Sequence, residues 1–219
     1  SGILLTCFGP DAHLQVQAAT GPTVITVTST TDPDNSDSTT CSTSPCTLRR
    51  AVIQARGAVK PVQINFNIPT SDPGYNATLQ IWKIQFSGIS ANANATLRYL
   101  NGQITIDGST QPGGRASGPK IILVGPGTGQ WDGIKLGETS TQNTNVIRGL
   151  GFQNFKTHIY VNSASNVIEY NWFGLSDDGT DVVLRNGIED NGSGNTGVSV
   201  AANVINNVIH YNVFTGLAG

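Results

Sequence analysis

One short phrase recurs in this chain at a near-constant interval, and that limits its folds more than any other feature. Asn145-Val146-Ile147-Arg148 is followed by Asn166-Val167-Ile168-Glu169, Asn186-Gly187-Ile188-Glu189 and Asn207-Val208-Ile209-His210. The starts fall 21, 20 and 21 residues apart. Five residues into the last three copies stands a second Asn (Asn171, Asn191, Asn212), where the first copy has Leu150. A fixed short period denotes one structural unit stacked on copies of itself.

The phrases alternate: Ile168 and Ile188 are apolar, Glu169 and Glu189 charged. Period-two alternation with β-branched residues reads as a half-buried strand. Nothing between the copies has a helical period. A lap of about 20 residues holding several short strands is the unit of a parallel β-helix. Equivalent strands then pair at roughly 4.8 Å and equivalent side chains form columns. Asn145, Asn166, Asn186 and Asn207 would form one Asn ladder, and Asn171, Asn191 and Asn212 a second. Asn suits both, because it tolerates a left-handed backbone and its amide can bond the Asn above and below.

The chain has 219 residues, 14 acidic and 12 basic, with no basic stripe that would suit nucleic acid. Its 26 Gly fit many turns and short strands. No apolar run reaches the roughly 18 residues that a membrane span needs. Met is absent and residue 1 is Ser, as in a processed or excised piece. Cys41 and Cys46 lie in a Ser/Thr/Pro loop without a CxxC pair or a His cluster. They are read as a disulfide rather than half a metal site, which places the chain in an oxidising compartment. Asn76, Asn94 and Asn191 head formal glycosylation sequons, of the sort an Asn- and Thr-rich chain produces by chance.

Residues 1–21 read as an N-terminal extension or the remnant of a secretion signal. Gly2-Ile3-Leu4-Leu5-Thr6-Cys7 resembles the end of a signal's apolar region, with Val16-Gln17-Ala18 as a cleavage site. Leu4-Leu5-Thr6-Cys7 also resembles a lipobox, departing from it at Thr6, so Cys7 is left as free, lipidated or intermolecular. Residues 22–60 read as a cap: a strand over 22–29, a polar loop containing Asp32, Asp34 and Asp37, and a helix over 47–57. Thr47 caps that helix, Leu48, Ala51, Val52 and Ala55 form its apolar stripe, and Gly57 stops it. The polar loop loosely resembles a calcium loop but lacks its Gly and Glu. Residues 61–219 form the β-helix, with a strand or strand pair over 79–86, a Gly/Pro-rich excursion over 110–119 and a turn-rich loop over 175–180.

The run Cys46-Thr47-Leu48-Arg49-Arg50-Ala51-Val52-Ile53-Gln54-Ala55 resembles the "CSLREAI" signature at the N-terminus of secreted bacterial right-handed parallel β-helix proteins. Ile64-Asn65-Phe66 and Ile104-Thr105-Ile106-Asp107-Gly108-Ser109-Thr110-Gln111-Pro112-Gly113 are also similar to that family. So are Asn145–Leu150 and Asn166-Val167-Ile168-Glu169-Tyr170-Asn171-Trp172-Phe173-Gly174. The likeness spans roughly residues 22–219. It implies an all-β, single-stranded right-handed parallel β-helix with a strand-plus-helix cap, secreted or held at a bacterial cell surface. Arg50 stands where the family has Glu, so the reciprocal capping box with Thr47 is lost.

The fourth position of each phrase gives an outward column, Arg148, Glu169, Glu189 and His210. Two carboxylates about 5–5.5 Å apart suit a retaining glycosidase, which makes Glu169 and Glu189 the candidate pair, with His210 and Arg148 beside them. A cation-assisted polysaccharide lyase is a second use of such carboxylates. The plainer reading, and the one preferred, is a surface charge ladder worth about 0–1 kcal/mol per pair. Asp177, Asp178 and Asp181 are candidate ligands for calcium, against a reading as turn residues. Trp131, Trp172 and Tyr170 could stack on sugar rings. His158 has no nucleophile beside it in sequence.

These features predict an extracellular structural or adhesive β-helix without catalysis, binding a cell-surface polysaccharide or its own copies. The alternative is a polysaccharide lyase or glycoside hydrolase acting along one face. The sequence stops just after a repeat phrase with no closing cap, which predicts further coils or a homo-oligomer or filament through the C-terminal edge, a neighbour's residues 1–19 among the strands it would accept.

Overall fold

The structure is a computed structural model describing residues 21–32, 39–42, 44–87, 96–126, 131–138, 143–181 and 196–215. Among these the chain is mostly β, with parallel sheets and one α-helix. Cys7, Asn94, Asn186, Glu189 and Asn191 lie outside the described residues, as do Asp34, Asp37 and the extension over 1–20.

Strand β1 (Thr23–Val27) pairs in parallel with β2 (Val62–Phe66), and helix α1 (Leu48–Gly57) packs against both. The alternation in β1 puts Ile25 and Val27 in the core. The helix starts where expected because the Thr47 hydroxyl accepts the Arg50 N–H. Leu48, Ala51, Val52 and Ala55 are its buried stripe. Arg50 does not restore the missing capping box; its side chain turns back to the Pro45 carbonyl at 3.0 Å. Cys41 and Cys46 are at disulfide distance, 1.94 Å between sulfurs, and close the loop just before the helix. Asp32 is engaged within the protein. Its carboxylate is buried against Arg49 at 2.7 and 2.8 Å and also accepts the Ser87 N–H. Arg49 in turn reaches the Thr96 carbonyl at 2.8 Å, tying helix to loop.

The remaining strands are β3 (Tyr75–Asn76), β4 (Ile81–Gln85), β5 (Ile104–Asp107), β6 (Ile121–Val124), β7 (Ile134–Leu136), β8 (Val146–Arg148), β9 (Leu150–Gln153), β10 (Thr157–Val161), β11 (Val167–Glu169), β12 (Trp172–Phe173), β13 (Thr196–Val200), β14 (Val208–His210) and β15 (Val213–Phe214). They form three sheets with neighbour orders β1-β2-β5-β8-β11-β14, β3-β4-β6-β9-β12-β15 and β7-β10-β13. All pairs are parallel except β3 with β4. From β5 onward the chain visits the three sheets in rotation, so each strand bonds its counterpart from the previous and the next round.

The 20-residue lap holds for one step alone. Val146 faces Val167, 21 residues on, but Thr105 faces Val146 and Val167 faces Val208, each 41 residues apart. The register therefore passes from the Asn166 phrase directly to the Asn207 phrase. Both edges of β11 are taken, by β8 and β14.

Inward side chains stack in columns, as pairing in register requires. Ile25, Ile64, Ile106, Ile147 and Ile168 form one, all buried, ending at Ile209, which is 39 % exposed. Phe152, Phe173 and Phe214 form another, with centroids 5.1 and 4.8 Å apart. Each fully buried side chain of this size contributes roughly 1.5–3 kcal/mol.

The Asn files are real, with a different division of labour from the one expected. Asn166 Oδ1 accepts both the backbone and the side-chain N–H of Asn145, each at 3.0 Å. Asn207 Oδ1 does the same for Asn166, at 2.9 Å. In the second file Asn171 Oδ1 accepts the Leu150 N–H, and Asn212 Oδ1 accepts from Asn171. Left-handed backbone falls on the residue before each Asn, at Thr144, Ser165, Tyr170, Asn206 and Tyr211, not on the ladder residues themselves. The corner residue turns the chain, which frees the Asn amide to satisfy buried backbone groups of the neighbouring round.

Candidate functional site

The outward column on the first sheet runs Asp107, Arg148, Glu169, His210, one residue per strand from β5 to β14. Arg148 Nε and Nη2 hold Asp107 at 2.8 and 2.6 Å, and Nη1 lies 3.7 Å from Glu169. The other Glu169 oxygen meets His210 Nε2 at 2.8 Å. The Asp107 hydrogen bond and charge raise the Arg148 pKa against the effect of burial. Glu169 is thus flanked by Arg148 and His210, with no second carboxylate on an adjacent strand. The nearest in the column, Asp107, is two strands away, roughly 9–10 Å by strand spacing, with the guanidinium between them. Among the described residues the column brings no second carboxylate within the roughly 5–5.5 Å of Glu169 that a retaining glycosidase uses. Asp107 was not singled out from sequence, because its place in the column depends on the 41-residue step.

The three loop aspartates diverge. The Asp177 carboxylate takes Lys83 at 2.8 Å and Gln153 Nε2 at 2.9 Å. Asp178 accepts the Ser176 hydroxyl and the Thr180 N–H, which pull its pKa down to about 2. The Asp181 N–H and carbonyl close the turn on Ser176. This is the turn chemistry of a short Asp/Gly loop. Among the described residues no three His, Cys, Asp or Glu side chains gather as a cation site would need. Asn76 Oδ1 is likewise engaged in a turn, accepting the N–H groups of Thr78 and Leu79.

Beside the charge column, at the corner between the first and second sheets, lies a groove of about 450 Å³. That is within the usual size of a small-ligand site, about 300–1,000 Å³. Tyr170 and Tyr211 follow Glu169 and His210 directly and occupy the same corner in successive rounds. Their rings stack at 5.1 Å and 13°, and they are 56 % and 68 % exposed. Both have left-handed backbone, φ +56° and +53°. The equivalent position one round earlier is Gly149, and before it Gly108. A Cβ at Gly108 would come within 2.3 Å of the Gly149 carbonyl. The rounds approach closely there, and the missing side chains leave the space beside the tyrosines open.

The excursion over 110–119 supplies another wall with Arg115, Gly118 and Pro119, and Lys120 follows it directly. Trp172 is wedged into this wall. A Cβ at Gly118 would lie 2.4 Å from its ring and one at Gly179 2.5 Å. The Arg115 guanidinium lies over the same ring, 4.7 Å from a centroid. Arg115 Nη1 donates to the Asp177 carbonyl, and Lys120 Nζ to the Gln111 carbonyl at 2.8 Å. Burial lowers the Arg115 pKa, opposed by the charges of Asp177 and Asp178. Of the three aromatics singled out from sequence, Tyr170 presents a free face, Trp172 is a packed wall and Trp131 does not line the groove. Tyr211 was missed, although the shared order Glu169-Tyr170-Asn171 and His210-Tyr211-Asn212 marks it.

His158 is a core residue. It is fully buried among Phe152, Phe155 and Phe173, with Nδ1 bonded to the Thr196 carbonyl at 3.0 Å. No helix among the described residues is long and apolar enough to cross a membrane. No known family, characterised protein or solved structure matches the chain.

Proposed function

We propose that this chain is a right-handed parallel β-helix of the kind its Cys46–Ala55 run resembles, exported to an oxidising compartment. There it acts as a non-catalytic surface or adhesive element that holds a glycan in the Tyr170–Tyr211 groove. The rotation of the chain through three parallel sheets supports the β-helix, since parallel crossovers are right-handed almost without exception. The cysteine pair at disulfide distance supports the compartment.

The observation that carries the glycan reading is the stacked tyrosine pair. Two large stacked rings exposed to water add nothing to the core, and exposed apolar surface of this kind marks interaction sites. Flat, exposed rings beside a polar-lined groove suit the apolar face of a pyranose, with hydroxyls directed to Ser109, Lys120 and backbone groups. The charge column offers less to a hydrolase or lyase, because Glu169 is already held between two basic groups.

The test is affinity electrophoresis on a polysaccharide panel with the double variant Tyr170→Asn/Tyr211→Asn. Asn is chosen because it accepts the left-handed backbone of both positions. At on the order of 1–1.5 kcal/mol per ring, retardation should weaken roughly 30- to 150-fold. Unchanged retardation would remove the groove from the binding site. Release of reducing ends or unsaturated uronates by the wild type would favour the catalytic alternative.

A further inference from the structure

We infer that the groove is built for an anionic glycan, and that Arg115 takes its carboxylate or sulfate group through the Nε–Nη2 edge. The inference rests on the glycan reading above. Two cations, Arg115 and Lys120, line the groove, and no carboxylate lines it among the described residues. The nearest acid, Asp177, presents its backbone carbonyl to Arg115 and keeps its carboxylate on Lys83 and Gln153.

Arg115 itself is half satisfied. Nη1 has its acceptor, whereas Nε and Nη2 are covered from water and have none among the described residues. Leaving charged donors in that state is costly, and groups so placed accept a partner readily. Nε and Nη2 form one edge of the guanidinium, two parallel N–H groups at the spacing of a carboxylate's two oxygens. Trp172 fixes the plane of that edge by lying against the guanidinium, and Gly118 and Gly179 fix Trp172. Lys120 adds a compact charge at the same wall with donors beyond the one that Gln111 uses. A uronic acid ring seated on the tyrosines would face this cationic wall, and a small shift of the side chains that cover the Arg115 edge would open the fork to its carboxylate.

The experiment measures affinity of the wild-type protein for hexagalacturonate, its fully methyl-esterified form and a sulfated chondroitin hexasaccharide, at low and high salt. The acid form should bind at least 10-fold tighter than the ester, with an advantage that shrinks in salt. Preference for the sulfated over the uronate arm would identify sulfate as the bound group, and the reverse would identify carboxylate. Arg115→Gln should bring acid and ester to one affinity, and Arg115→Lys should recover part of the difference. Equal binding of acid and ester by the wild type overturns the inference and leaves the glycan reading standing. If no sugar of any charge binds, both fall together. The acid–ester comparison uses the unaltered protein and so does not depend on how the variants fold.

Discussion

His158 allows one consequence of the core to be worked through to a number. Its ring is enclosed by three phenylalanines, and burial holds its pKa at about 4 against 6.5 for a free side chain, in spite of the bond to Thr196. The folded protein therefore carries it neutral, while the unfolded chain binds a proton at any pH below 6.5. Between pH 6.5 and 4 unfolding takes up a proton at this site. Its contribution to stability is complete above pH 6.5 and is lost as the pH falls toward 4. At 1.36 kcal/mol per unit the whole shift is roughly 3 kcal/mol, of which about 2 kcal/mol is lost between pH 7 and pH 4.5. The assay is urea unfolding of the wild type and His158→Phe at several pH values in that interval. Phe suits a cavity already walled by Phe, and whatever it costs through Thr196 is the same at every pH. Other acid-titrating groups are common to both proteins and cancel in the difference. The wild type should lose about 2 kcal/mol relative to the variant across the interval. Parallel stability curves would refute the account of a neutral, desolvated imidazole.

Two further outcomes follow from buried polar contacts. Asn166→Ala leaves the Asn145 N–H buried without its acceptor and should cost about 2–3 kcal/mol in urea unfolding, whereas Asn76→Ala at a more open turn should cost under about 1 kcal/mol. Equal costs would mean that the Asn file adds nothing beyond ordinary turn bonding. Asp32→Ala strands the buried Arg49 guanidinium and should cost about 3–5 kcal/mol, most of it recovered in Asp32→Ala/Arg49→Met. Additive losses in the double variant would contradict the picture of one coupled pair.

Sequence reading reached those features that are local or strictly repeated. The Thr47 cap, the buried stripe of α1 and the inward Ile25 and Val27 follow from neighbours within a few residues. Asn145 and Asn166, and then Asn207, could be aligned because the phrase around them is nearly identical. The third copy, with Asn186 and Glu189, lies outside the described residues. A phrase records that a segment can pair, but the strand beside β11 is decided by how much chain intervenes, and β14 takes that edge 41 residues on. The neighbour of Glu169 on β14 is His210, which the phrase alone did not place there. Arg115 gave no signal at all. It sits in an excursion whose sequence says only Gly and Pro, and its meaning comes from Trp172 and Asp177, which lie some 60 residues away in the chain.

The Asn file has a direction. In every described link the earlier amide gives its protons and the later one receives them. A storey can therefore be added only the same way up, and the 21-residue step from Val146 to Val167 is the smallest piece that brings a complete giver and receiver with it. Repeated in tandem, that segment is a ready brick: each copy would raise the stack by the height of one strand, about 4.8 Å, without disturbing the storeys on either side.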